Sequence, residues 1–143
     1  MKVLLQRVTR AEVRVAGSPV GAIGPGLLVL LGVERGDRPE DAGAFAAKTA
    51  ELRIFADQAG RMNLDVSQAG GAVLVVSQFT LAASTRRGLR PSFDGAEEPK
   101  KAEELYGLYI EHLRGRGLSV ATGTFGAMME VELVNDGPVT FIL

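Results

Sequence analysis

A chain of 143 residues, 46% hydrophobic and 23% charged, has the balance of one ordinary globular domain with a core of its own. A net charge of −1 disfavours a protein that holds long duplex nucleic acid by bulk charge, yet leaves room for a local basic patch. With no cysteine and a single histidine, His112, the chain excludes disulfides, thiol catalysis, thiolate metal sites and any multi-histidine metal centre.

The opening segment, KVLLQRVTRAEVRV, begins almost continuously apolar and then alternates, with Ala11, Val13 and Val15 set against Glu12 and Arg14. That pattern predicts a long strand, buried at its start and half-exposed later. Arg7 and Arg10, with no small-residue cleavage site nearby, read as strand residues rather than part of a signal peptide. Gly17-Ser18-Pro19 breaks the strand. VGAIGPGLLVLLGVE then reads as a short strand, a Gly-Pro-Gly turn and a buried strand from Leu27 to Val33. That apolar run is far too short to span a bilayer, so a soluble cytoplasmic protein with no membrane partner is expected.

In GDRPEDAGAFAAKTAELRIF the period changes. Asp37 is placed as an N-cap with Pro39 in the first turn, and Phe45, Ala46, Thr49, Leu52 and Arg53 recur at helical spacing. A turn-rich stretch, ADQAGRMNLDVSQAGG, leads to a third buried strand, continuous over Val73 to Val76 and abruptly polar at Ser77, Gln78 and Thr80. ASTRRGLRPSFDGAEEP is a long basic loop, of a length at which loops are usually functional or mobile. PKKAEELYGLYIEHLRGRG is a second helix, with Leu105, Leu108, Tyr109 and Leu113 on one face. Two strands, LSVATGTF and MMEVELV, precede the closing NDGPVTFIL. Strands at both ends and two helical insertions argue for an α/β fold in which helices cover one face of a sheet. Several strands read as buried on both sides, and two helices are too few to cover both faces. The expectation is therefore a three-layer α/β/β single domain over residues 1–143, with a second β layer on the other face.

The usual catalytic constellations are missing. His112 lies near a helix C-terminus, where it reads as a surface or packing residue, and without it no Ser-His-Asp triad can be built. Glu97-Glu98 and Glu103-Glu104 read as solvated charge on a loop and a helix start. The glycines of GAIGPG lack the lysine and helix of a phosphate-binding loop. Any catalytic power must come from backbone donors, hydroxyls or the substrate. SQFTL, Ser77 to Leu81, is then the most informative internal stretch. It is either a strand end whose hydroxyls satisfy nearby backbone, or a small polar site with free N–H groups around Phe79 and Thr80 suited to an oxyanion.

The C-terminal MEVELV and VTFIL otherwise read as a hairpin, and Asn135-Asp136-Gly137-Pro138 between them admits three readings. It can be a plain turn, an edge device that blunts strand pairing, or backbone that itself does the work, aiming carbonyl oxygens outward.

SQFTL at 77–81, RRGLRPSF at 86–93, FGAMM at 125–129 and NDGPVT at 135–140 stand in one chain in that order. With Arg7 in the opening strand and Met62-Asn63 after a helix and turn, the chain closely resembles the D-aminoacyl-tRNA deacylases along its whole length. No cofactor and no metal-ligand set is read in the chain; the resemblance implies a homodimer that hydrolyses D-aminoacyl-tRNA and glycyl-tRNA. In it, the Gly-cis-Pro step of one subunit, Gly137-Pro138, enters the other's site as a chirality filter held by Arg7. Ser77, Gln78, Phe79 and Thr80 are implied as the catalytic floor. Phe125, Gly126, Ala127 and Met129 are implied around the terminal adenosine. Arg86, Arg87 and Arg90, with Lys100 and Lys101, read either as contacts to acceptor phosphates or as a solvated, solubilising face. Thr80 is either a nucleophile or part of the pocket. The reading favoured by the resemblance has the adenosine 2′-OH assist water, with backbone N–H groups on the oxyanion. A module that binds a nucleotide or RNA end without turnover is the alternative, separated from the enzyme by whether D-tyrosyl-tRNA is hydrolysed.

Overall fold

Strand β1 (Lys2–Val15) turns through Ala16-Gly17 and returns as β2 (Ser18–Ile23), in a computed structural model that describes every residue from Met1 to Leu143. There follow β3 (Gly26–Gly32), α1 (Pro39–Glu51), a small hairpin of β4 (Phe55–Ala56) and β5 (Met62–Leu64), and β6 (Ala72–Ser77). A 3-10 turn over Phe79–Ala82 opens the basic loop, and α2 (Pro99–Gly115), β7 (Val120–Thr122) and β8 (Glu130–Ile142) complete the chain.

The main sheet has the order β2-β1-β3-β6-β7, with β8 paired to β1 off that path. β1 is antiparallel to β2, β3 and β8, whereas β3, β6 and β7 run parallel. Parallel neighbours need long crossovers, and α1 and α2 supply them.

Successive residues on a strand face opposite ways, and here both ways are apolar. On β6, Val73 and Val75 join the cluster under the helices, while Leu74 and Val76 join a second cluster on the far face. β3 divides likewise, Leu27, Val29 and Leu31 against Leu28. This is why these strands read as unbroken hydrophobic runs. The second cluster, with Val8, Ala11 and Val13 of β1, is covered by β chain instead of a helix. β2 returns so closely over β7 that a Cβ on Gly21 would sit 2.2 Å from the Thr122 carbonyl oxygen. The three-layer α/β/β expectation describes the molecule.

On the helical face, α1 presents small residues, Ala42, Ala46 and Ala50, and α2 packs Leu105, Tyr106, Tyr109, Ile110 and Leu113. Leu108 is only partly buried. Thr49 and Tyr109 share a buried hydrogen bond of 2.6 Å, and burial pushes the Tyr109 phenol well above its ordinary range.

Three local expectations are corrected. The residue capping α1 is Arg38, not Asp37: the Arg38 N–H donates to the Asp41 carboxylate at 2.8 Å, while Asp37 accepts the Glu34 N–H at 2.7 Å and ties the preceding turn. α1 ends at Glu51 short of Arg53, whose guanidinium instead donates to the Asn63 carbonyl at 2.7 Å across the small hairpin. The closing segment is no hairpin. Leu133 and Val134 pair with Ala11 and Arg10, while Phe141 and Ile142 pair with Leu5 and Leu4, so both apolar runs lie along the same edge of β1.

Candidate active site

Ser77 ends β6 at the carboxyl edge of the parallel strands, the edge where α/β sheets gather their ligands. The Gln78 N–H still donates to Leu31 O at 2.8 Å, holding the chain on β3 for one more residue before it turns. In the 3-10 turn that follows, the first helical bond runs from the Leu81 N–H to Gln78 O at 3.1 Å. The N–H groups of Phe79 and Thr80 precede that bond and find no partner within the chain, as expected of a helical N-terminus. The Gln78 side-chain amide donates to Thr80 Oγ1.

These residues edge a groove of about 570 Å³. Ser77, Gln78 and Phe79 line it together with Phe125 to Met129. Val33, Val76 and Val131 make its apolar base, and Glu97, Pro99 and Ala102 border it at the start of α2. Phe125 is set by α2: its ring packs against Tyr106 at 5.8 Å between centroids, and the Tyr106 hydroxyl donates to Val75 O at 2.8 Å. Desolvation pushes the Tyr106 phenol up to about 12. Phe79 is 56% exposed and packs against Phe93 of the basic loop at 5.0 Å.

The groove thus brings together Ser77, Gln78, Phe79, Phe125, Gly126, Ala127 and Met129, but not Thr80, whose side chain is exposed beside it. Arg86, Arg87 and Arg90 lie outside it on an exposed finger, closed where Ser84 and Ser92 exchange backbone hydrogen bonds of 2.8 and 2.9 Å. Glu97 is the lining residue that reading the sequence missed. Only 10% of its side chain is exposed, and its oxygens accept Lys101 Nζ at 2.7 Å and the Glu98 N–H at 3.0 Å. The Lys101 bond is the chief cause that holds its carboxyl below the usual carboxylate range. The four-residue spacing from Glu97 to Lys101 was the available signal. His112 packs against Gly43 of α1, away from the groove.

Gly137 and Pro138 are also outside their own chain's groove, exposed on a bulge of β8. Between the pairs Gln6–Thr140 and Val8–Asn135, β1 supplies one residue, Arg7, and β8 supplies Asp136 to Val139. The Gly137-Pro138 bond is cis, and Gly137 has φ 122°, a backbone conformation that side chains disfavour. The neck of the bulge is clamped from within: Asn135 Oδ1 accepts the Val139 N–H at 3.1 Å, and Asn135 Nδ2 donates to Thr140 Oγ1 at 3.0 Å. Beneath it Arg7, 14% exposed, donates to Ile54 O at 2.6 Å and sets its Nε 3.0 Å from the Asp136 carboxylate.

An apolar groove at the carboxyl ends of parallel strands, with Phe79 and its unpartnered main-chain N–H in its lining, defines a small α/β ligand-binding domain of the kind enzymes use. Residues 4–143 match the model of the family described as D-Tyr-tRNA(Tyr) deacylase. D-aminoacyl-tRNA deacylases of Syntrophotalea carbinolica and Paracoccus denitrificans are 62% and 60% identical to the chain. Those matches cover 100% and 98% of the chain, and 96% and 94% of the two relatives. Among solved structures, one titled c-Myc DNA Unwinding Element Binding Protein superposes with a TM-score of 0.94 at 39% identity, over 100% of this chain and 97% of that one. A probable eukaryotic D-amino acid tRNA deacylase shares the fold, with a TM-score of 0.86 at 17% identity over 99% and 97%. The chain belongs to the D-Tyr-tRNA(Tyr) deacylase family and is an enzyme, a hydrolase acting on ester bonds.

Proposed function

We propose that the chain hydrolyses the ester joining a D-amino acid, or glycine, to the terminal adenosine of tRNA, releasing the free amino acid and the tRNA. One observation carries the reading. Ser77 to Phe79 and Phe125 to Met129 line a single groove, while Gly137-Pro138 stands exposed on a clamped bulge outside it.

In this mechanism the adenine lies against Phe125, Gly126, Ala127 and Met129, where stacking on an aromatic contributes about 1–3 kcal/mol per base. The ester carbonyl lies beside the unpartnered N–H groups of Phe79 and Thr80. Water attacks the carbonyl carbon, and the electron pair displaced onto oxygen is met by those two donors without reorganisation. No histidine borders the groove, so the adenosine 2′-OH positions the water and relays its proton. Collapse of the adduct expels the adenosine 3′ oxygen, which takes up the proton.

Handedness is judged by a second copy of the chain, whose Gly137-Pro138 bulge enters the groove in a homodimer. Main-chain carbonyl oxygens beside the reacting α-carbon tolerate hydrogen and collide with a Cβ. Backbone suits this task because a side chain could rotate away. Arg7 and Asn135 hold the bulge that carries those oxygens. A filter of this kind admits glycine and is nearly blind to which D-residue arrives. Arg86, Arg87 and Arg90, on the exposed finger, meet phosphates of the acceptor end in this reading. Release of tyrosine from D-tyrosyl-tRNA but not from L-tyrosyl-tRNA, together with hydrolysis of glycyl-tRNA, is the expected result. Equal release from both mirror forms would sink the proposal.

A further inference from the structure

A second groove, of about 380 Å³, adjoins the first along the carboxyl ends of β3 and β6. Val33 lines the first groove and Glu34 the second; Phe79 opens the 3-10 turn on the first, and Ala82 closes it on the second. The new groove is polar where the first is apolar, with Lys2, Ser84, Thr85 and Arg86 on its walls.

Lys2 is held in place. Its Nζ donates to Leu81 O at 3.0 Å and stands 3.3 Å from Glu34 Oε1, which leaves one of three N–H donors free. Arg86 makes no ion pair, unlike Arg10, Arg14, Arg38 and Arg116, each of which meets a carboxylate. Ser84, whose Oγ accepts the Arg86 N–H at 3.5 Å, is itself fixed by its backbone pairing with Ser92. Phe79, in the lining of the first groove, packs against Phe93 of the same finger. Two cationic groups and two hydroxyls line this groove beside the Glu34 carboxylate, which Lys2 already meets. That is a donor set for an oxyanion carrying several acceptor oxygens.

We infer that this second groove is a phosphate subsite for the RNA strand, taking the phosphate on the 5′ side of the terminal adenosine through Lys2, Arg86, Ser84 and Thr85. The inference rests on the functional reading above, which puts the adenosine in the first groove. A phosphate contact carries no base information; it fixes the register of the strand, so the ester arrives at Phe79 and Thr80 in one orientation.

The test compares two D-tyrosyl 3′-esters, one of adenosine and one of 5′-AMP, which differ only by a phosphate. For the native chain, kcat/KM is expected to favour the phosphorylated ester about tenfold, through KM, with an advantage that shrinks as salt is added. Lys2→Gln combined with Arg86→Gln brings that ratio to near one, whereas Arg116→Gln, on the far pair with Glu51, keeps it. A mere folding role for Lys2 would lower both rates and leave the ratio alone. Hydrolysis of both esters with no phosphate advantage, or with one that survives the double substitution, overturns the subsite and leaves the deacylase reading standing. Failure of both esters and of D-tyrosyl-tRNA overturns the deacylase reading, and the subsite with it.

Discussion

At the scale of single residues, the question is which atoms at the groove can act. The Thr80 hydroxyl receives the Gln78 amide, no imidazole lines the adjoining groove, and the one carboxylate there, Glu97, is paired with Lys101. Its main-chain N–H, by contrast, is unpartnered. Thr80→Ala keeps the N–H and removes the hydroxyl, so it is expected to retain most of the turnover of D-tyrosyl-tRNA. Near-total loss in a folded variant, or an acyl group trapped on Thr80, would make the side chain the nucleophile. Tyr106 supports a second residue-level expectation. Burial raises its phenol from 10 to about 12, so between those values the unfolded chain gives up a proton that the folded chain keeps. The folded state binds more protons there, and stability falls as pH rises, by about 1.4 kcal/mol per pH unit from this group. In Tyr106→Phe, Val75 O still accepts the Gly123 N–H at 3.1 Å, and denaturation curves between pH 10 and 12 should fall less steeply than those of the native chain. An unchanged slope would mean that the phenol does not carry the shift.

At the scale of elements, the two-faced sheet was legible because its cause is local. Val73 to Val76 and Leu27 to Leu31 are apolar at every position, and only layers on both sides can bury such runs. β8 was not legible, because Asn-Asp-Gly-Pro between two apolar runs is also the composition of a turn. What keeps the second run on β1 is distant in sequence: Arg7 fills the space under the bulge, and Asn135 bonds across its neck to Val139 and Thr140. Asp37 misled for a similar reason, since Asp41 is the carboxylate that reaches the first turn of α1. Within the groove, Ser77 to Phe79 announced themselves by a sharp change of polarity, whereas Glu97 did not, because its burial depends on where α2 starts. Gly21 bears the closing of the second layer. Gly21→Ala sets a methyl 2.2 Å from the Thr122 carbonyl oxygen, a main-chain atom with little room to yield. The expected loss is about 3 kcal/mol in chemical denaturation, from prising β2 off β7. A loss under 1 kcal/mol would show that the two layers part easily.

At the scale of the whole molecule, the fold separates two parts that the proposed chemistry needs together. The groove lies at the ends of β3 and β6, and the Gly137-Pro138 bulge protrudes from β8 at the level of Arg7, outside that groove. In a symmetric pair each chain gives what it receives, so one two-fold contact would complete two sites at once. Mixing subunits tests this directly. Ala102→Trp fills the groove of one chain and leaves its bulge intact. Deletion of Gly137 and Pro138 leaves the groove of the other chain and removes its filter, so that chain alone is expected to hydrolyse L-tyrosyl-tRNA. When the two are co-refolded in equal amounts, about half of the open grooves meet a partner that still carries a bulge. L-tyrosyl-tRNA hydrolysis per open groove should then fall by about half, while D-tyrosyl-tRNA hydrolysis per open groove is kept. If each chain instead judged handedness with its own bulge, the plugged partner would change nothing, and the L-specific rate would stay that of the deletion chain alone.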